Sequence, residues 1–186
     1  VAFDDWAERD IDAMVRRDRN HPCIFAWSVG NETLERDRPE GKGIAHFLAE
    51  RVRLNDPTRP VTAAICGTWT GGQWSDTDGT FSELDLGGYN YQWQSYESDH
   101  ERFPRRMMMG TESFPIEAYE NWEQVEKHPY VLGDFVWTSL DYLGETGIGR
   151  TTYEDDKFVF LGTYPWHQAN CGDLDLCGFK RPQSYY

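Results

Sequence analysis

Short apolar runs alternate along the chain with amphipathic segments of helical length. Over residues 4–19, apolar residues recur at helical spacing among charged ones, which predicts a helix. The segment Asn20-His21-Pro22 ends it, because the residue before a proline avoids the helical region. Residues 23–29 are nearly all apolar and predict a strand buried on both faces, as in a parallel sheet.

The same alternation continues through the rest of the chain. It predicts helices over 43–55, 94–103 and 116–127, and strands over 61–66, 84–91, 106–112 and 131–140. A long polar loop is expected over 67–83, and the tail 144–186 carries few helix or strand signals. Strand and helix in turn predict an α/β fold with a parallel sheet, whose helices share one face if the sheet curls into a barrel.

Composition narrows the choice of partner. The chain has 186 residues, enough for one sizeable core, and its net charge of −14 disfavours nucleic acid, which needs a basic surface. No run of about 18 apolar residues is present, so no membrane partner is expected. Aromatic residues make up 15% of the chain. Packing accounts for most of them, but their faces also suit sugar rings, and 69–74 and 166–167 are candidates for outer sugar subsites.

Cysteine and histidine positions predict neither a metal site nor a cofactor. Cys23 and Cys66 lie in apolar runs and are expected to be buried thiols. Cys171 and Cys177 could approach one another, and the sequence leaves open whether they form a disulfide. The five histidines are scattered without a ligand pair such as HxxxH.

The start of the chain, Val1 to Asp5, is acidic and unlike a signal peptide. Because its first residue is not methionine, we expect an excised or processed segment. The compartment and the oligomeric state stay open, and a homo-oligomer is compatible with the sequence.

Two of the acids are set apart by their position. Glu32 follows the first apolar strand and Glu112 follows the fourth, so each is predicted at the carboxyl end of a parallel strand. In α/β barrels that end carries the catalytic groups. Glycoside hydrolysis needs two carboxyl groups that flank the scissile bond, one protonated and one ionised. The pair therefore predicts glycosidase chemistry on a carbohydrate substrate.

Three segments carry a resemblance to a known family. Asp18–Glu32 (DRNHPCIFAWSVGNE) closely resembles the acid/base signature of glycoside hydrolase family 2, which includes β-galactosidases, β-glucuronidases and β-mannosidases. Gly110–Pro115 (GTESFP) resembles the nucleophile segment of that family, and Gly133–Glu145 (GDFVWTSLDYLGE) resembles its last barrel strand. Because their order and spacing also fit, the resemblance covers nearly the whole chain.

The resemblance implies a role for particular residues. Glu112 becomes the nucleophile and Glu32 the general acid/base of a retaining mechanism, and Asn31 would hydrogen-bond the sugar 2-hydroxyl. Two further assignments concern aromatic residues. Tyr91 resembles the tyrosine near the nucleophile, although Tyr89 and Tyr96 compete for that place. Trp137 would form the floor under the sugar ring.

The resemblance also implies a partial (β/α)8 barrel. If Glu32 ends strand four and Glu112 ends strand seven, residues 1–186 form one catalytic-domain segment with about strands four to eight. The earlier barrel units and β-sandwich domains are then absent. Three steps across a flat sheet would put the two strands roughly 14 Å apart, whereas retaining catalysis needs carboxyl groups about 5–5.5 Å apart. We therefore expect these residues alone to hydrolyse glycosides poorly.

Several alternatives stay open. A β-galactosidase is favoured, because a β-glucuronidase would use an Asn-x-Lys pair, which is absent here, and because the acidic chain disfavours an anionic substrate. A β-mannosidase stays open as an alternative. Outside this family, a non-catalytic carbohydrate-binding fragment would explain the aromatic residues but not the two acids, and a metal-dependent hydrolase lacks a ligand set.

Overall fold

A computed structural model describes residues 3–68, 71–144, 148 and 167–181. Its helices are α1 Phe3–Asp18, α2 Pro39–Asn55, α3 Asp78–Phe81, α4 Tyr96–Arg102 and α5 Ala118–Lys127. Its strands are β1 Trp27–Asn31, β2 Val61–Ile65, β3 Leu86–Asn90, β4 Met107–Ser113, β5 Val131–Val136, β6 Tyr142–Leu143 and β7 Gln168–Ala169. Short 3-10 helices cover Trp74–Thr77, Trp93–Ser95 and Pro115–Glu117. None of the helices in these ranges is long and apolar enough to cross a bilayer.

Strands β1 to β5 form one parallel sheet in the order β1-β2-β3-β4-β5. The predicted α/β fold with a parallel sheet is therefore confirmed. Strands that are neighbours in the chain are also neighbours in the sheet, which is the strand order of successive βα units in a barrel. Because all five strands run in one direction, their carboxyl ends lie along a single edge.

The core lies between the sheet and the helices. One cluster joins Tyr89 and Met108 of the sheet to Phe81 and Tyr96 of the helices, and a second joins Trp27 and Val61 to residues of α1 and α2. Successive side chains of a strand point to opposite faces, so the strand residues between the core residues point to the other side of the sheet. We call this opposite side the inner face; it carries Thr62, Ala64 and Asn90.

The first strand differs from its prediction. Strand β1 begins at Trp27 rather than Cys23, since the N–H of Trp27 donates to the Pro60 carbonyl and Trp27 pairs with Val61. It is not buried on both faces either, because β2 is its only neighbour in the described sheet. Strands β2 and β3, which have a neighbour on each side, are fully buried. The prediction of a buried thiol at Cys23 is also wrong, because Cys23 precedes the strand and is exposed.

The region 67–83 is not a plain loop. It contains a 3-10 helix and α3, and Trp74 packs on the helix side of the sheet against Phe81 and Tyr89. The indole N–H of Trp74 donates to Asp99 at 2.8 Å. Trp74 is thus a core residue rather than part of an outer sugar subsite, while Trp69 and Trp166 lie outside the described residues.

Irregular pairing re-aims side chains at the carboxyl edge. In β4, Tyr89 pairs with Gly110 but Asn90 pairs with Glu112, so Thr111 is an extra residue. In β1, Ser28 pairs with Thr62 but Asn31 pairs with Ala64. Such bulges change which face a following side chain occupies. Both irregularities place a predicted site residue, Asn31 or Glu112, on the inner face.

At the opposite, amino edge, the buried carboxylate of Asp56 joins β1 to the connection before β2. It accepts hydrogen bonds from Trp27 Nε1 (3.0 Å), from Arg59 Nη1 (2.6 Å) and from the backbone N–H (3.0 Å) and hydroxyl (2.5 Å) of Thr58. Burial by itself would raise the pKa of Asp56, but the donors outweigh it and hold that pKa well below its usual range.

The described part of the tail, 167–181, crosses the end of β5. Strand β7 pairs with β6, and the Thr138 N–H donates to the Cys171 carbonyl at 2.9 Å. Arg181 pairs with the buried carboxylate of Asp141 and fixes the end of this segment. Cys171 and Cys177 are free thiols, and Cys66 is buried as predicted.

Candidate active site

The carboxyl edge brings the predicted site residues together. Asn31 is the last residue of β1, with Glu32 directly after it; Tyr91 directly follows β3; Glu112 lies in β4; and Trp137 directly follows β5. The N–H of Tyr91 donates to the Glu112 carbonyl at 2.8 Å, and the N–H of Glu32 donates to the Ala64 carbonyl at 2.8 Å. These backbone bonds fix the positions at which the side chains leave the sheet.

Two of these residues have left-handed backbone conformations. The φ angle is 49° at Glu32 and 56° at Tyr91, and each residue directly follows a strand. A positive φ is uncommon for residues other than glycine and concentrates at functional sites, where the surrounding structure enforces it. Here it turns the chain sharply as it leaves the strand.

Asn90 connects the two acids. Its Nδ2 atom lies 2.9 Å from Glu32 Oε1 and 3.1 Å from Glu112 Oε2, within hydrogen-bond range of both. Those two carboxyl oxygens therefore lie no more than about 6 Å apart. This separation is much shorter than the roughly 14 Å between the two strands of a flat sheet. The curvature of the sheet and the length of the two side chains account for the difference.

Tyr91 and Glu112 form the second contact of the pair. The phenol of Tyr91 hydrogen-bonds the Glu112 carboxylate, and its ring stacks on Phe114 with centroids 4.3 Å apart. Burial raises the pKa of Glu112, the Tyr91 hydrogen bond opposes that rise, and the nearby Glu32 charge adds to it. Burial and the Glu112 carboxylate raise the pKa of Tyr91, so its hydroxyl keeps its proton and remains a donor.

Cys66 borders the pair on the side of Glu32. Burial and the Glu32 charge raise the pKa of this thiol to about 12. It therefore stays protonated near neutral pH and hydrogen-bonds Glu32 as an S–H donor. Its backbone carbonyl accepts from Nε of the buried Arg36 at 3.1 Å, which secures the chain after β2.

Trp137 lies at the same edge, one strand away from Glu112. The backbone N–H of Trp137 donates to the Ser113 carbonyl at 2.9 Å. The indole ring packs edge to face on Tyr142, with ring centroids 6.2 Å apart. The peptide bond between Trp137 and Thr138 is cis. The half-buried Trp137 is thus tied to the end of β4 through its backbone and to Tyr142 through its ring.

Of the three competing tyrosines, only Tyr91 reaches the acids. Tyr89 points to the helix side and its hydroxyl donates to Asp99 at 2.8 Å. Tyr96 lies in α4 and packs edge to face on Tyr89, with centroids 5.1 Å apart. Both are fully buried in the core between sheet and helices.

Sequence reasoning missed three residues of the site. Asn90, the fully buried bridge, was overlooked beside the tyrosines, although its place as the last residue of β3 could have identified it. Thr111 donates to Asn90 Oδ1 at 2.6 Å, a contact that depends on the bulge in β4. Cys171 comes close enough to Tyr91 for its charge to affect that phenol, and nothing in the sequence of the tail indicated this.

Comparison with known proteins places this site in a family. Residues 5–146 match the family model described as glycosyl hydrolases family 2, TIM barrel domain. The chain belongs to glycoside hydrolase family 2, and its parallel sheet with helices is part of a TIM barrel. Membership and the named relatives support glycoside hydrolase function in general.

The relatives are much longer than this chain. It is 27% identical to Beta-galactosidase BoGH2A of Bacteroides ovatus, in a match that covers 98% of this chain and 28% of that protein. A solved structure of a family 2 member from Bacteroides cellulosilyticus is 44% identical, with a TM-score of 0.85, over 98% of this chain and 22% of that one. A beta-glucuronidase from an uncultured Clostridium species shares the fold at 16% identity and a TM-score of 0.69, over 97% of this chain and 34% of that one.

Proposed function

We propose that the chain carries the catalytic carboxylates of a retaining exo-β-glycosidase that acts on terminal β-D-galactosides. The observation that supports this most directly is the separation of Glu32 and Glu112. The two oxygens that share the Asn90 amide lie no more than about 6 Å apart, which is below the 6.5–9.5 Å that inverting enzymes need for an intervening water and compatible with the 5–5.5 Å of retaining enzymes.

In this mechanism, Glu112 attacks the anomeric carbon while Glu32 donates a proton to the departing glycosidic oxygen. A covalent glycosyl-enzyme forms and the aglycone leaves with that proton. Glu32, now ionised, takes a proton from a water molecule, whose oxygen replaces Glu112 on the anomeric carbon and restores both side chains. The sugar leaves with retained configuration.

Two observations bear on which acid plays which role. The Tyr91 hydrogen bond stabilises an ionised Glu112, as a nucleophile requires, whereas burial raises the pKa of Glu112 and favours a proton there. The family resemblance supports Glu112 as nucleophile. We adopt that assignment because the resemblance and the Tyr91 donor both favour an ionised Glu112.

The remaining residues complete a sugar site. Asn31 lies beside Glu32 on the inner face and is proposed to bind the 2-hydroxyl, a contact that strengthens in the transition state. Trp137 is proposed to place its indole under the apolar face of the ring. Tyr91 is proposed to keep its hydrogen bond to Glu112 until the covalent bond forms.

We further propose that the chain is one segment of the catalytic barrel and acts together with the earlier barrel units. An open apolar groove beside β1 supports this: it is lined by Phe3, Trp6, Ile11, Val29 and Leu48, and the Trp6 side chain is 53% exposed. A helix packed beside an added strand would cover such a groove. We use the term complemented chain for this chain joined to the preceding barrel units of the Bacteroides cellulosilyticus relative.

Covalent trapping tests the mechanism. The complemented chain is incubated with 2-deoxy-2-fluoro-β-D-galactosyl fluoride, and peptide mass spectrometry is expected to find the adduct on Glu112. Glu32→Gln should slow hydrolysis of an alkyl galactoside far more than that of a 2,4-dinitrophenyl galactoside, whose leaving group needs no protonation. An adduct on Glu32 would reverse the roles, and sugar binding without any adduct would favour a non-catalytic carbohydrate-binding fragment.

The sugar is tested separately. Matched 4-nitrophenyl β-galactoside, β-glucuronide and β-mannoside are compared by kcat/KM on the complemented chain. The net charge of −14 and the lack of an Asn-x-Lys pair lead us to expect the glucuronide to be the poorest of the three. A preference for the glucuronide would overturn the galactosidase assignment while leaving the mechanism intact.

A further inference from the structure

Asn90 has more acceptors than its amide can serve. Its Nδ2 lies 3.1 Å from Asn31 Oδ1, 2.9 Å from Glu32 Oε1 and 3.1 Å from Glu112 Oε2, although an amide nitrogen has only two hydrogens. The Asn90 side chain is fully buried, so solvent water does not reach Nδ2 to compete with these acceptors. One nitrogen therefore fixes the positions of two carboxylates on different strands.

The orientation of this amide is set from the other side. The hydroxyl of Thr111 donates to Asn90 Oδ1 at 2.6 Å, so the oxygen faces Thr111 and the nitrogen faces the acids. Gly88 precedes Asn90 on the inner face, and a Cβ there would lie 2.8 Å from Thr111 Cγ2 and also meet the Ala63 carbonyl. The missing side chain at Gly88 leaves Thr111 the space that it occupies.

We propose that Asn90 is a positioning residue that holds Glu32 and Glu112 at one separation, with Thr111 fixing the orientation of its amide. The inference rests on the proposed function, in which these acids are the catalytic pair. Two facing carboxylates repel, and without a common donor each can rotate toward its own second donor, Cys66 for Glu32 and Tyr91 for Glu112. A shared N–H donor offsets the repulsion and ties the two positions together.

Other titratable or charged groups face this arrangement and must be considered in any measurement of pH dependence. They are Tyr91 after β3, Cys66 after β2, Arg36 before α2 and Cys171 in the tail. The protonated thiol and phenol donate to one acid each, whereas the Asn90 amide nitrogen lies within hydrogen-bond range of both. Removal of the Asn90 donor therefore takes a hydrogen bond from both acids at once, whereas removal of Tyr91 or Cys66 takes one from a single acid.

The first test uses the 186-residue chain and needs no turnover. With glutamate labelled at the side-chain carboxyl, carbon NMR follows the titration of Glu112 and the position of the Glu32 carboxyl signal. Asn90→Leu removes the donor, and Asn90→Asp replaces it by a third carboxylate. Glu112 is expected to titrate at higher pH in Asn90→Leu, and higher still in Asn90→Asp, because it loses a bond that favours its ionised form, and the Glu32 signal is expected to move because it loses the same donor.

Thr111 provides a milder change of the same geometry. Thr111→Val keeps the shape but lets the amide turn, so Glu112 should titrate at higher pH than in the unchanged chain, though lower than in Asn90→Asp. Thr111→Ser keeps the hydroxyl and should restore the original titration. If the Asn90 variants fail to fold, this valine and serine pair still decides the question.

A matched control separates positioning from general destabilisation. Asn121 is also a buried asparagine, and its amide donates to the Glu117 carbonyl at 2.8 Å, away from the acids. Asn121→Asp should lower the unfolding temperature without moving the Glu112 titration or the Glu32 carboxyl signal. An unchanged Glu112 titration and Glu32 signal in folded Asn90→Leu, or equal changes in Asn121→Asp, would overturn the proposal.

Trapping distinguishes failure of this inference from failure of the proposed function. In the complemented chain, Asn90→Leu should slow formation of the Glu112 adduct by about 100-fold, the loss that a misplacement of about 1 Å causes. An unchanged adduct rate in Asn90→Leu would refute positioning and leave the function standing. A shifted titration in a protein that never forms an adduct would refute the function and leave the geometric role of Asn90 standing.

Discussion

Asp56 lies at the amino end of the sheet and Glu112 at its carboxyl end, and the two acids have opposite surroundings. Asp56 is paired with Arg59 and accepts further hydrogen bonds from Trp27 and Thr58, which lower its pKa despite burial. Glu112 faces a second carboxylate and is desolvated, and its pKa is raised.

The difference teaches how the fold divides its tasks. At the amino end, donors stabilise a buried charge, so the acid contributes to the free energy of unfolding. At the carboxyl end, two acids are held close together against their repulsion, which costs stability but provides the pair that glycoside cleavage needs. We therefore expect substitutions at the amino end to reduce stability and substitutions at the carboxyl end to reduce activity, each without the other.

The largest expected effect is at the carboxyl end. Glu112→Gln removes the nucleophile, so hydrolysis of 4-nitrophenyl β-D-galactoside by the complemented chain should fall about 10⁴-fold or more. The kcat is measured with the galactoside in excess, and circular dichroism checks that the variant is folded. Activity within about tenfold of the unchanged protein would show that Glu112 is not the nucleophile.

The next effect is on stability at the amino end. Asp56→Ala leaves Arg59 and the Trp27 indole without their buried acceptor and should cost about 3–5 kcal/mol of unfolding free energy. Urea unfolding of the 186-residue chain measures it. Glu50→Ala is the matched control, because Glu50 pairs with Arg53 at an exposed site and should cost no more than about 0.5 kcal/mol. Equal losses in the two variants would contradict the comparison.

The smallest effect is a gain in stability at the carboxyl end. Glu112→Gln removes a desolvated charge beside Glu32, so the unfolding temperature at pH 7 should rise by about 2–4 °C, equivalent to about 1 kcal/mol in a protein of this size. Calorimetry of the 186-residue chain measures it. A lower unfolding temperature would show that Glu112 stabilises the fold, in the manner of Asp56.

The pH dependence of these two stability effects should have opposite signs. The pKa of Glu112 is raised on folding, so the gain from Glu112→Gln should fade as pH falls below that raised value and vanish below the unfolded pKa, about 4.3. The pKa of Asp56 is lowered on folding, so the cost of Asp56→Ala should persist to more acid pH and decline only below the unfolded pKa of about 3.9.

Much of this could be predicted because strand ends are visible in the sequence. Apolar runs located the five strands, and a polar residue directly after a strand of a parallel sheet must lie at the carboxyl edge. That reasoning placed Glu32 and Glu112 at one edge, and the structure has Glu32 directly after β1 and Glu112 in the next-to-last position of β4. It failed at β1, where the apolar run 23–26 lies outside the paired strand.

The choice among neighbouring residues was less accessible. Tyr89, Asn90 and Tyr91 are consecutive, and their orientations depend on alternation, on the positive φ at Tyr91 and on the pairing of β3 with β4. The sequence pattern made Tyr89 and Tyr91 candidates for the site but did not indicate Asn90 between them. Bulges carry no dependable sequence signal, because the extra residue is defined only by the partner strand.

The sequence by itself determined the family and the parallel α/β sheet, and it singled out Glu32 and Glu112 as candidates, because periodicity and motif spacing are local properties of the chain. Only the tertiary structure decided that Glu32 and Glu112 come within about 6 Å through a common amide donor. That distance depends on the curvature of the sheet, on two bulges and on the contact between Thr111 and Asn90. Each of these joins residues that are far apart in the chain, so their effect appears only once the strands pack together.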